Sequence, residues 1–205
     1  MNKILLAILT LFCATAYGQE TKDEFDGHAW QAPYTFPTPK DWGVERFLVP
    51  PSFAPSISYK GVEDIRFAPG WAKSGSDEYW SYAFLWYLEG KPVVTAATLE
   101  EDLKAYYTGL IEVNSDSARL AAWQSILVTT KFTSNHSSGT PSFTGTVTMM
   151  DYMTGKPITL HCRVRARSCN EPGKEFVFFE LSPQPYTHSI WKSLDQLWQD
   201  FDCKK

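Results

Sequence analysis

His161, Arg163, Arg165 and Arg167 stand at every second position and form the sharpest polar feature of the chain. Alternation by two places them on one face of a strand. Guanidinium groups there could hold a carboxylate, sulfate or phosphate through paired hydrogen bonds. The competing reading is a solvated sheet face whose arginines meet Glu175, Glu180 or acids elsewhere, and one strand register sets Arg163 opposite Glu180. A formal net charge of −4 favours that second reading, because acids are plentiful.

Tryptophan supplies the next candidates. Trp30, Trp42 and Trp71 fall in an irregular segment, the setting in which functional loops concentrate. Exposed, their rings could stack on sugar faces. Buried, they would anchor the segment to the core through their large apolar area. Trp80, Trp86, Trp191 and Trp198 lie on periodic apolar runs and are expected in the core. The run Asp23-Glu24-Phe25-Asp26-Gly27-His28 has the donor types for a divalent cation. It matches no calcium-loop spacing, and it reads as a solvated tail. No metal site is expected, since no Cys/His cluster has zinc spacing either.

Catalysis finds little support. There is no GxSxG elbow, HExxH motif or phosphate loop, and no cofactor is expected. His28, His136, His161 and His188, with carboxylates such as Asp77-Glu78, are ingredients for acid–base chemistry that no spacing assembles.

The elements that must position these residues are easier to read. Residues 1–18 have the build of a cleavable secretory signal: Lys3, an apolar run over 4–16, then small residues at Ala16 and Gly18. The apolar run is too short for a stable anchor. Cleavage removes 18 of 205 residues, leaving 187, and takes Lys3 with it, so the formal charge moves from −4 to −5. An acidic chain argues against nucleic acid as a partner. No second long apolar run exists, so no stable membrane insertion is expected after cleavage.

Three of the four cysteines survive cleavage. Export makes a disulfide the expected state. Cys162 lies in an expected strand and Cys169 just beyond it, too far apart along an extended chain to bond. Cys169–Cys203 is therefore the preferred bridge, with Cys162–Cys203 left open.

Residues 19–75 carry seven of the thirteen prolines, interleaved with aromatics, and read as an extended strap over the rest. Short strands are possible there at 45–49 and 63–67. Residues 76–205 read as a regular domain. The run 78–88 is apolar on both alternations, as in a strand buried on both faces. Thr98 to Glu101 fits a capping box, with Leu99, Leu103, Tyr106, Leu110 and Val113 behind it at helical spacing. A short helix at 117–124 and a strand at 126–133 follow. A turn at Thr154-Gly155 pairs Met149 with Leu160, Val147 with Cys162, Gly145 with Val164 and Phe143 with Ala166, all on one face. A strand at 175–181 and an amphipathic helix from Ile190 to Phe201 complete the chain.

These elements predict an α+β fold: an antiparallel meander packed by two main amphipathic helices, with an N-terminal Pro/aromatic-rich strap. The function expected is that of a secreted or periplasmic non-catalytic binding protein for a glycan, an anionic small molecule or a protein partner. An extracellular hydrolase acting on a polymer is the alternative, and a structural subunit of an envelope assembly is the third reading.

Overall fold

The computed structural model describes residues 25–123, 128–135, 141–169 and 173–203. The signal segment 1–18, Asp23, Glu24, Ile126 and His136 lie outside the described residues. Ten elements follow in order: β1 (Gly43–Val49), β2 (Gly61–Phe67), β3 (Tyr82–Glu89), α1 (Ala96–Val113), α2 (Ser117–Ala122), β4 (Thr129–Asn135), β5 (Ser142–Asp151), β6 (Lys156–Arg167), β7 (Lys174–Ser182) and α3 (Ile190–Gln199). The seven strands form one antiparallel sheet in the order β1-β2-β3-β7-β6-β5-β4. It consists of two meanders that meet at β3 and β7, so the α+β fold is as predicted. The connection through α1 and α2 carries the chain from the middle of the sheet to its far edge.

The sheet is apolar on both faces, and each face has its own helix. On one, Tyr82, Phe84 and Trp86 of β3 and Phe179 of β7 pack against Leu99, Leu103, Tyr106 and Tyr107 of α1. On the other, Leu85, Phe176 and Phe178 meet Trp191, Leu194 and Leu197 of α3, together with Tyr34 and Phe36 from the strap. β3 and β7 are the central strands and are buried almost throughout.

The segments at 45–49 and 63–67 are edge and next-to-edge strands of the sheet itself. The irregular chain before them is tied down by a buried ion pair. Arg66 bonds Asp64, and its Nη2 and Nε donate to the carbonyls of Phe36 and Pro37 at 2.8 and 3.1 Å. Asp64 also accepts from Arg46 at 2.9 Å and from the Tyr34 hydroxyl at 3.3 Å. A two-way backbone bridge between Thr35 and Asp202 joins this segment to the C-terminus. Cys169 and Cys203 form the expected disulfide, and Cys162 is a buried free thiol.

Three expectations are corrected in detail. The β5–β6 register differs by two residues: Met149 faces Ile158, Val147 faces Leu160 and Gly145 faces Cys162. The cause is a four-residue connection in place of two. The Asp151 carboxylate accepts from the Met153 N–H and the Thr154 hydroxyl at 2.9 and 2.5 Å, which closes the wider turn. A shift of two preserves the face of every side chain, so the apolar pattern is equally satisfied by both registers. Helix α1 starts earlier than expected, with Thr95 as its N-cap and Thr98 closing the capping box. β3 begins at Tyr82 because residues 76–81 form turns, with Trp80 held at φ +52°.

Candidate functional site

The arginine ladder lies where alternation puts it, on the α3 face of the sheet, but α3 and the loop before it cover it. Arg163 is opposite Glu180 in register. Its guanidinium nevertheless sits 4.9 Å from the ring centres of both Tyr186 and Trp191. Arg165 takes the carboxylates instead, Glu180 at 3.1 Å and Asp195 of α3 at 2.5 Å. Arg167 lies 4.4 Å over Trp198, and the His161 ring packs 5.3 Å from Tyr186. Each rung thus meets rings or acids, which is how a cationic stripe is accommodated between a sheet and an aromatic helix face. Burial raises the Glu180 carboxyl to about 7 against the pull of Arg165. Burial also works against the Asp195 carboxylate, but Arg165 outweighs it and holds that group below the usual range.

The three strap tryptophans separate. Trp30 packs 6.0 Å from Tyr34, and Trp42 is half-buried against the α3-face cluster. Trp71 is on the opposite face of the sheet. His188 accepts the Ile190 N–H at Nδ1, at the start of α3. Asp26 caps a turn by accepting the N–H groups of His28 and Ala29. Among the described residues no group of three or more His, Cys, Asp or Glu side chains could hold a metal ion.

Trp71 instead helps to line a cavity of about 100 Å³ between α1 and the β1 end of the sheet. Strand alternation points Glu45 and Phe47 of β1, Ile65 and Phe67 of β2, and Tyr82 of β3 toward it. Helix α1 adds Tyr106 and Leu110, and three loops supply Phe53, Trp71 with Trp80, and Tyr152. The rings form a continuous wall: Phe67–Trp71 at 4.6 Å, Trp71–Trp80 at 5.7 Å, Trp80–Tyr152 at 5.3 Å and Phe53–Tyr106 at 5.1 Å between centres.

The wall is held by chemistry behind it. Tyr106 and the Trp86 indole each donate to the buried Glu63 carboxyl at 2.8 Å, and Tyr82 bonds Tyr107 through their hydroxyls. Tyr79 donates to Asp151 at 2.6 Å, fixing the turn that carries Tyr152. A Cβ on Gly109 would collide with the Phe53 carbonyl, so this glycine allows α1 to seat the Phe53 loop. The left-handed backbone of Trp80 is uncommon for a bulky side chain, and strain of this kind gathers at ligand sites. Burial keeps the Tyr82 and Tyr106 hydroxyls protonated far above the usual range, and raises Glu63 to about 8 despite its two hydrogen bonds.

Among the residues at this cavity, only Trp71 was a sequence candidate. Glu45 and Glu63 alternate in step with Phe47, Ile65 and Phe67. A carboxylate on the apolar side of a strand was the signal that could have marked both.

No protein-family model matches the chain, and no curated protein or solved structure matches it either. Fold and site define an α+β protein with an apolar, aromatic-walled cavity at the edge of its sheet. No described helix is long and apolar enough to cross a membrane.

Proposed function

We propose that this is an exported, non-catalytic binding protein, and that the aromatic cavity beneath α1 is its ligand seat. The carrying observation is the lining itself: among the described residues, eight aromatic rings and a single carboxylate surround about 100 Å³. An apolar pocket with a few placed polar groups is the usual build of a ligand site. The tyrosines at the wall keep their protons and the carboxylate has no basic neighbour in the lining, a composition suited to recognition rather than to proton transfer. Export is supported by the signal-like residues 1–18 and by the Cys169–Cys203 disulfide. The arginine ladder contributes less to this reading than its sequence promised, because its guanidinium groups already meet rings and acids.

A thermal-shift and tryptophan-fluorescence screen of the purified protein against glycans, organic anions and organic cations tests the proposal. A ligand at 100 times its dissociation constant adds about 2.7 kcal/mol, or about 5–10 °C for a chain of this length. The expected hit is abolished by Trp71→Ala and unaffected by Arg163→Ala. A hit with the opposite dependence would move the seat to the ladder, and a flat screen would refute the binding role for small molecules.

A further inference from the structure

We infer that the cavity selects an organic cation: an ammonium head bearing small alkyl groups, on a molecule that also carries an oxygen acceptor. The inference rests on the cavity being the ligand seat and asks what that seat can recognise.

Charge is the first argument. Among the described residues neither Lys, Arg nor His lines the cavity, and the one carboxyl in that lining is Glu45 on the exposed edge strand. An anion would meet a carboxylate and the negative faces of the rings with no cationic side chain among the described lining residues to offset them. A cation is drawn by both, since aromatic rings attract ammonium groups through their quadrupole and do so more strongly when water is excluded.

Hydrogen-bonding capacity is the second. A sugar needs several donors and acceptors around its ring. Here the Tyr106 hydroxyl is committed to Glu63 and the Tyr82 hydroxyl to Tyr107. The polar groups that remain are few, and an alkylated ammonium requires few. Two of them are informative: the indole Nε1 atoms of Trp71 and Trp80 are both buried with no hydrogen-bond partner among the described residues. A buried donor left unpaired is costly, and an oxygen on the ligand would satisfy it. The cavity, the ring wall, the lone rim carboxylate and the two orphaned indole donors therefore point to one ligand chemistry.

The test compares choline with 3,3-dimethyl-1-butanol, its uncharged isostere, at matched ionic strength, with dissociation constants read from tryptophan fluorescence and calorimetry. Choline is expected to bind at least tenfold more tightly than the isostere. Glu45→Gln should weaken choline about fivefold and leave the isostere unchanged, and the exposure of Glu45 keeps the fold intact, which circular dichroism verifies. Glu45→Lys should abolish choline binding. Equal binding of the two probes, or indifference of choline to both Glu45 substitutions, overturns the cation inference while leaving the cavity as the seat. Binding of a glycan alone does the same. If neither probe nor any member of the wider screen binds, the seat itself is refuted.

Discussion

Replacing Glu63 with glutamine should stabilise the protein at alkaline pH and flatten its pH profile. The Glu63 carboxyl is fully buried between Trp86 and Tyr106, and burial raises it from 4.5 to about 8. In the unfolded chain it ionises near 4.5. Between those values the folded state holds a proton that the unfolded state has lost, so stability is greatest below about pH 4.5 and is lost as pH rises toward 8. At 1.36 kcal/mol per unit, the displacement of about 3.5 units sets an upper limit of about 5 kcal/mol. Half of that would still move Tm by about 5–10 °C. Glutamine mimics the protonated acid: its carbonyl accepts from the Trp86 indole and its amide donates to the Tyr106 oxygen. Urea unfolding of both proteins from pH 5 to pH 9 gives the comparison, with urea chosen because it leaves ionic strength unchanged. Wild type should lose stability across this range while Glu63→Gln keeps most of it. A smaller slope should persist below about pH 7, because Glu180 is displaced in the same direction. Parallel profiles for the two proteins would refute the account, as would wild-type stability that rises from pH 5 to 8.

Two further substitutions probe the frame around the site. Arg165→Ala leaves the buried Glu180 and its neighbour Asp195 without their cation, and should cost about 3 kcal/mol. Arg163→Ala removes only contacts with the Tyr186 and Trp191 rings and should cost about 1 kcal/mol. Equal losses in urea unfolding would show that the ladder is not held as described. Gly109→Ala would gain about 1 kcal/mol from helix propensity alone. Here the new methyl meets the Phe53 carbonyl, so a net loss of about 1–3 kcal/mol is expected, and a gain in Tm would contradict the tight seating of that loop.

Much of the fold was legible because local periodicity survives folding. The alternation of β5 and β6, the stripe on α3 and the doubly apolar run of β3 each follow from one strand or helix having to bury a defined face. The disulfide was legible for a geometric reason: an extended chain keeps Cys162 and Cys169 apart. The hairpin register was not, since sliding two strands by two residues leaves every side chain on its own face. Only the carboxylate of Asp151, closing a four-residue turn, chose between the registers. The capping box was displaced for a related reason, because Thr98 can serve either as a cap or as the third residue after one.

The candidate site depended on contacts that no local pattern encodes. The sequence alone determined that His161, Arg163, Arg165 and Arg167 share a face and that Glu45 and Glu63 stand among apolar side chains, because a strand has a period of two. Tertiary structure decided that α3 would bring Asp195 to Arg165 and rings to Arg163 and Arg167, turning an apparent anion site into part of the packing. It also decided that Trp71 and Trp80, Tyr152, Phe53 and Tyr106 would converge on Glu45 of the edge strand from three loops and a helix. A cavity is the space left between elements after they pack, and its shape and charge exist only once all of them are in place.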